Sequence, residues 1–477
     1  MTGPLAASKI GIVVDRTAAM SLSTQISGTL RLAILEGRIE PGARLPSWRD
    51  LAVQLGVARG TVRAAYETLA DERLVVSLGA AGTHVTESSQ PSEPAASLAP
   101  FVIAPPLSRI MRGFSKPVLP FMSGVPARDA FPAKLWARIH IRAVRDEAMG
   151  PTTYPDPRGS PELRAQIASY LAIARGIRCI PDQIIVTNGF RDGLGLAIRT
   201  LNAGGRAVLI EDPSFPVTRW ALELANMKLV PVPVDAFGMD VERGIALAPD
   251  AVMAVVTPGQ QAPTGATLSV QRRQALLQWA AREGGWIIED DYLSELQLDG
   301  RAAPALAAND PDGRVIHIGS FSKTLKPSLG LGFVVAPLQL AERFGEVAAC
   351  LSPAFNQTAH AALATFIADG HYLRHLRRMK RLYTVRRDAY LSLMNDSIGQ
   401  QTTAGLAIIL QLPPGTDDVA IARCGPELGI APTPLSPWYS DAERRRPGLL
   451  LSITNLTDEL IEPACATLRQ LLTSAAR

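Results

Sequence analysis

The sequence predicts an α/β protein in two parts: a small helical module closed by a hairpin, and a large domain built on a mostly parallel sheet. Three observations carry this. Residues 20–86 hold three amphipathic helix-length segments followed by two short β-rich runs. Residues 88–106, SSQPSEPAASLAPFVIAPP, interrupt with a Ser-, Pro- and Ala-rich stretch of little periodicity. Beyond it, short apolar runs alternate with helical segments.

In the first part, Leu22, Ile26, Leu30 and Ile34 recur at helical spacing, and Gly37 ends the segment. After the turn EPGARLPS comes a short helix, Trp48–Leu55, closed by Gly56. A third helix, Arg59–Asp71, puts Val62, Tyr66 and Leu69 on one face. LVVSL and THV then flank GAAG, the pattern of a small hairpin. Helix, helix, turn, helix, hairpin is the plan of a winged helix-turn-helix. The expected organisation is a DNA-binding domain at 15–87, a linker at 88–117 biased by proline to extended forms, and a third segment at 118–477.

In that third segment the expected strands are IIV (184–186), AVLI (207–210), AVMAVV (251–256), GWII (285–288), RVIHI (314–318) and FVVA (333–336). Helices fall between them. One spans 161–175, with Ser160 as N-cap and Pro161 at the first helical position; another spans 269–283 and opens on Ser269. Continuous apolar strands separated by helices imply a largely parallel sheet covered on both faces.

The chain has 477 residues, 47% hydrophobic and 19% charged, a composition that supplies a large core. A net charge of +4 is too small to argue for nucleic acid by itself, yet it allows a small DNA-reading head on a larger neutral domain. Four scattered cysteines without a CxxC pair argue against a disulfide frame or a metal site. The N-terminus lacks the pattern of a signal peptide, and no uncharged apolar run approaches the ~18 residues of a spanning helix. The expectation is a cytoplasmic protein without membrane contact.

Two constellations carry chemistry. In VARGTVR (57–63), Arg59 and Arg63 share the face opposite the apolar one, where guanidinium groups reach phosphates or guanine edges. Ser47 and Arg49 open the preceding helix, a place suited to a phosphate contact. For two arginines alone, a solvated helix face is the favoured reading. The second constellation gathers at strand ends. GWII runs into Glu289-Asp290-Asp291-Tyr292, RVIHI into Gly319-Ser320-Phe321-Ser322-Lys323, and IIV into Thr187-Asn188-Gly189-Phe190. In a parallel sheet the ligand crevice lies outside the carboxyl ends, so a carboxylate, a lysine and a helix N-terminus face one cavity. Pyridoxal phosphate needs such a set: an amine for a Schiff base, an anion for the pyridine nitrogen and donors for its phosphate.

The segment LEGRIEPGARLPSWRDLAVQLGVARGTVRAAYETLADERLV, followed by GAAGTHV, resembles the GntR family of winged-helix regulators. That resemblance implies an operator-DNA interface at Ser47, Arg49, Arg59, Gly60, Thr61 and Arg63. Ala58 departs from the family's capping Ser or Thr, a loss of about 1 kcal/mol of local stability. Residues 120–470 resemble the fold-type I aminotransferase domain of the MocR-type branch through YPDPRGSPELR, EDPSFP, TPGQQAPTGATLS, IIEDDYLSE and GSFSKTLKPS. The resemblance implies a pyridoxal 5'-phosphate held as a Schiff base on Lys323, with Asp290 at the pyridine nitrogen and Tyr292 donating to the ring hydroxyl. Phe215 stands where an aromatic stacks on the ring, and Tyr154 resembles the tyrosine that reaches the phosphate across a dimer interface. Ser320, Ser322 and the amides of Gly189 and Phe190 supply phosphate contacts. Gly330 departs from the family's phosphate-binding arginine, for which Lys326 or Arg191 are substitutes. Gln260, Ala262 and Leu450 replace the usual His, Asn and carboxylate-gripping Arg.

Three functions follow from the resemblance. The leading one is a homodimeric regulator that senses an amine or amino acid by exchange at Lys323. The others are a working aminotransferase fused to a DNA-binding head, and a regulator whose second domain has lost the cofactor.

Overall fold

The computed structural model describes residues 11–18, 20–86, 117–300, 302–394 and 399–475, so most of the expected linker lies outside the described residues. Contacts divide the chain into two compact units, Met1–Val102 and Ile103–Arg477.

In the first unit, α1 (Leu22–Leu35), α2 (Trp48–Leu55) and α3 (Arg59–Asp71) bury Ile26, Leu30, Leu51, Val62, Tyr66 and Leu69 in one core. Ser21 caps α1 by accepting from the Thr24 amide, and Ser47 caps α2 by accepting from the Asp50 amide. Ala58 gives α3 no side-chain cap, as its residue type dictates. The Tyr66 hydroxyl donates to the Pro46 carbonyl at 2.9 Å, tying α3 to the turn ahead of α2. Strands β1 (Val75–Ser77) and β2 (Thr83–Val85) pair antiparallel to form the wing. Gly82 closes it at φ +96°, where a Cβ would lie 2.8 Å from Arg44 Nε, so only glycine fits without displacing that side chain.

The second unit is built on β3 (Ile184–Thr187), β4 (Ala207–Asp212), β5 (Lys228–Asp235), β6 (Gly238–Met239), β7 (Met253–Val256), β8 (Trp286–Asp291), β9 (Val315–Ser320) and β10 (Gly332–Val335). Their order is β3-β10-β9-β8-β7-β4-β5-β6. The central run from β9 to β5 is parallel, as the apolar patterning predicts. The strand expected at FVVA runs the other way: β10 is antiparallel to both β3 and β9. Its apolar run is the same in either direction, and the connection from β9 to β10 holds only the short 3-10 turn Pro327–Leu329, with no crossover α-helix to return the chain to a parallel start. Strand β5, KLVPVPVD, escapes sequence reading because Pro231 and Pro233 signal a break; its place near the sheet edge tolerates them. Ser160 caps the helix Pro161–Ala174 and Ser269 caps Val270–Glu283, both as expected. A smaller antiparallel sheet, β11 (Gln401–Ala404), β12 (Ala407–Gln411), β13 (Thr433–Pro434) and β14 (Gly448–Ser452), forms the C-terminal part.

Candidate functional site

A cavity of ≈ 420 Å³ opens between the carboxyl end of the parallel strands and the smaller sheet. Lys323, Asp290, Tyr292, Phe215, Phe190 and Ser320 all line it, so six of the sequence-predicted residues converge on one space. The pleat of β8 explains which acidic residue arrives. Alternation sends Asp290 to the cavity, and Glu289 and Asp291 to the opposite face. There Arg175 Nε donates to Asp291 Oδ2 at 2.7 Å, and His317 Nδ1 lies 3.0 Å from Glu289 Oε2.

Lys323 follows the end of β9 on a turn that is pinned at its neighbour. The Tyr372 hydroxyl donates to Thr324 Oγ1 at 3.0 Å, and His375 Nε2 donates to the Thr324 carbonyl at 2.7 Å. The Lys323 ammonium donates to the Gly124 carbonyl at 2.9 Å. Gly124 sits at φ +81°, a conformation that favours glycine, and a Cβ there would push on Nζ at 2.8 Å. Gly189, φ +100°, caps the helix Phe190–Thr200, and the hydroxyls of Ser322 and Ser320 approach it: a Cβ on Gly189 would lie 3.8 and 4.0 Å from them. A helix N-terminus flanked by two hydroxyls is a ready anion cradle.

The electrostatics suit an amine nucleophile. Desolvation pushes the Lys323 pKa below its ordinary value, opposed by Asp290 and aided by Arg191. Asp290 Oδ1 is buried with no hydrogen-bond partner in the structure. Burial first, then repulsion from Asp291 and Glu211, raises the Asp290 pKa well above the carboxylate range against the pull of Lys323. Glu211 is pushed to about 7 by burial, although Thr257 and Gln261 hydrogen-bond it. The Tyr292 hydroxyl is also driven up, by burial and by those two carboxylates.

Tyr154 is not brought into this chain's cavity. It is 91% exposed, and its ring lies 6.3 Å from that of Phe355. Gly330 adopts φ +58° with open space around it, and Lys326 is exposed; of the two substitutes, Arg191 is the one that acts electrostatically on Lys323. Sequence reasoning missed Ser123, Gly124, Thr433, Trp438, Ser452 and Thr454 in the cavity wall. Trp438 packs at 5.7 Å from the Phe215 ring. These residues come from distant loops and the small sheet, so no local pattern marks them.

In the first unit, Arg59, Gly60 and Arg63 are exposed on α3, and Thr61 is half-buried. Arg63 pairs with Glu67 at 2.9 Å, an exposed i,i+4 pair that stabilises little and yields readily to a stronger anion. Arg49 lies over the Trp48 ring at 4.8 Å. The Ser47 hydroxyl donates to Asp50 Oδ2 at 2.6 Å and is occupied as a helix cap.

The two units together define a class: a DNA-reading head joined to a domain of aminotransferase fold. A model of class I and II aminotransferases matches residues 116–468, and one of the bacterial gntR regulatory proteins matches residues 22–85. The chain is 34% identical to the probable rhizopine catabolism regulatory protein MocR of Rhizobium meliloti, over 96% of this chain and 95% of that one. It is 33% identical to the pyridoxine biosynthesis regulator PdxR of Corynebacterium glutamicum, over 80% and 79%. Among solved structures it is similar to the α-aminoadipate aminotransferase LysN of Thermus thermophilus, complexed with N-(5'-phosphopyridoxyl)-L-leucine. There the TM-score is 0.69 and the identity 25%, over 77% of this chain and 95% of that one. The chain belongs to the MocR-type branch of the GntR transcription regulators. Among the described residues no helix is long and apolar enough to cross a membrane.

Proposed function

We propose that the second unit holds pyridoxal phosphate on Lys323 and uses it to sense a small amine, while the first unit reads operator DNA as one half of a homodimer. One observation carries the reading: an amine of lowered pKa and a buried, unpartnered carboxylate oxygen, Asp290 Oδ1, share one cavity. A protonated pyridine nitrogen would give that oxygen its missing donor. Gly189, Phe190, Ser320 and Ser322 would hold the phosphate, and Phe215 the ring face. When bound, the cofactor supplies an aldehyde carbon to which Lys323 and an incoming amine attach in competition. Tyr154 would serve the partner's site. Its exposure and its neighbour Phe355 suit a residue that another protomer covers.

The sensor reading is favoured over a working aminotransferase by the cavity's composition. Among the described residues that line it, Lys323 is the one cation, and Leu450, which by the resemblance replaces the carboxylate-gripping arginine of transaminases, lines it as well. A free α-carboxylate would therefore enter unpaired, at a desolvation cost that an amine without one escapes. The effector class is a primary amine lacking an α-carboxylate. Spectral titration of the cofactor-loaded protein should rank such amines above α-amino acids at least tenfold, and Leu450→Arg should narrow or reverse the ranking. Equal affinity for both classes would remove the argument. The switch itself needs differential affinity of the amine for two states of the regulator. A gel shift with and without the amine measures it, and identical DNA affinity in both would refute sensing.

For the head, Arg59→Ala should weaken operator binding by about 1–3 kcal/mol if the guanidinium reads a base. The fold should survive, because Arg59 lies off the apolar face of α3. Unchanged affinity in both Arg59→Ala and Arg63→Ala would move the interface elsewhere.

A further inference from the structure

On the helix Ala133–Ala148, AKLWARIHIRAVRDEA, the buried face consists of Trp136, Ile139 and Ala143. The opposite face presents Lys134, Arg138, Arg142 and Arg145, all exposed. Steps of four, four and three residues line these side chains up in one row. At about 1.5 Å of rise per residue the row is about 16 Å long. Its one acidic member is Asp146, at the C-terminal end. Glu147 is on another face, where it accepts from the Thr358 hydroxyl.

Two features separate this row from an ordinary solvated helix face. Elsewhere on the surface some arginines find carboxylates, as Arg31 with Glu72, Arg63 with Glu67 and Arg343 with Glu346, while others such as Arg59 stand singly; here four cations share one face. Among the described residues none of the four cations on this helix has an ion pair. Like charges one turn apart repel, and Lys134 sits in the first turn, at the positive end of the macrodipole, although Arg145 in the last turn is favourably placed. Such a row is stabilised by an external polyanion. On the arginine-rich helix His371–Met394, Arg374, Arg378, Arg386 and Arg387 bond to backbone carbonyls or carboxylates of the protein itself, and only Arg377 and Arg381 are left exposed without such a bond among the described residues.

We infer that this helix face is a second DNA contact, on the aminotransferase-fold unit, that binds the duplex backbone without reading sequence. The inference rests on the DNA-binding reading of the head. Laid along the duplex, a row of about 16 Å covers a length of axis over which each strand carries roughly five phosphates, at one per about 3.4 Å, more than enough partners for four cations. Flexible side chains on a rigid helix suit such contacts, which position the duplex and leave sequence to the head.

The test uses the full-length protein and a long random-sequence duplex. Four exposed cations are neutralised together as Lys134→Gln, Arg138→Gln, Arg142→Gln and Arg145→Gln, and separately as the first and second pair. The logarithm of the association constant falls with the logarithm of salt by roughly 0.9 per phosphate neutralised, so the quadruple variant should flatten that slope by up to about 3.6, and each pair by about half. Affinity at low salt should drop at least tenfold. A slope and affinity equal to wild type would overturn the inference. So would an altered sedimentation mass with the slope unchanged, which would make the row a protein contact. Arg59→Ala run in parallel keeps the two readings apart. If it weakens binding to an operator-bearing duplex while the quadruple variant leaves the slope intact, the head reading stands and the helix inference falls.

Discussion

Lys323→Ala should abolish the visible absorption that the wild-type protein develops with excess pyridoxal phosphate. The loss should be complete, because the reaction requires a neutral amine within bonding reach of the aldehyde. Lys323 is the one cation among the described cavity-lining residues, and its pKa is already lowered by burial and by Arg191. Lys326 is exposed and outside the cavity wall, so Lys326→Ala should keep the band. Substitution to alanine leaves the anchors of the turn untouched, since Tyr372 and His375 hold Thr324 and not the lysine. The fold around the site should therefore persist, as should operator affinity in the absence of amine. Two outcomes would be damaging. No band in the wild type would mean that the unit lacks the cofactor, with Gly330 in place of an arginine as the physical reason. A band that survives in Lys323→Ala would mean that another amine is the attachment point.

How much of this was legible in the sequence depends on whether the information is local. Helix caps at Ser160 and Ser269 were legible because a cap needs only one side chain and an amide three residues on; Ser47, read as a phosphate contact, proves to be a cap as well. The central parallel strands were legible because burial on both faces leaves a continuous apolar run. Strand direction at 332–335 was not, since an apolar run carries no polarity. Lys323, Asp290 and Tyr292 were legible through motifs at strand ends. Gly124 and Trp438 were not, although one supplies the carbonyl that receives the Lys323 ammonium and the other packs on Phe215. Their roles exist only after segments far apart in sequence have packed together, and a single chain gives no sign of that pairing.

The adjacent acids Asp290 and Asp291 should respond to removal in opposite senses, which gives a sharp test of the assignment of the two faces of β8. Asp291 accepts from Arg175 at 2.7 Å, and both side chains are nearly inaccessible to water, at 4% and 2%. Asp291→Ala strands a buried guanidinium and should destabilise the unit by about 3–5 kcal/mol, the scale seen when one partner of a buried pair is removed. Asp290 is buried without a partner on Oδ1, so in cofactor-free protein Asp290→Asn should stabilise. The pH dependence follows from the direction of its shift. A carboxyl whose pKa is raised in the folded state contributes its stability below the unfolded value of about 3.9, and that contribution is lost as pH rises towards the folded pKa. The gain from Asp290→Asn should therefore be small at pH 4 and larger at neutral pH. With pyridoxal phosphate present the order reverses. The amide cannot hold a proton on the pyridine nitrogen, and the stabilisation that the cofactor gives the wild type should shrink or vanish. Thermal unfolding of both variants, with and without cofactor, at acid and neutral pH, reads all of these. If Asp290→Asn destabilises the cofactor-free protein as much as Asp291→Ala does, Asp290 belongs to the structural network and not to the cavity.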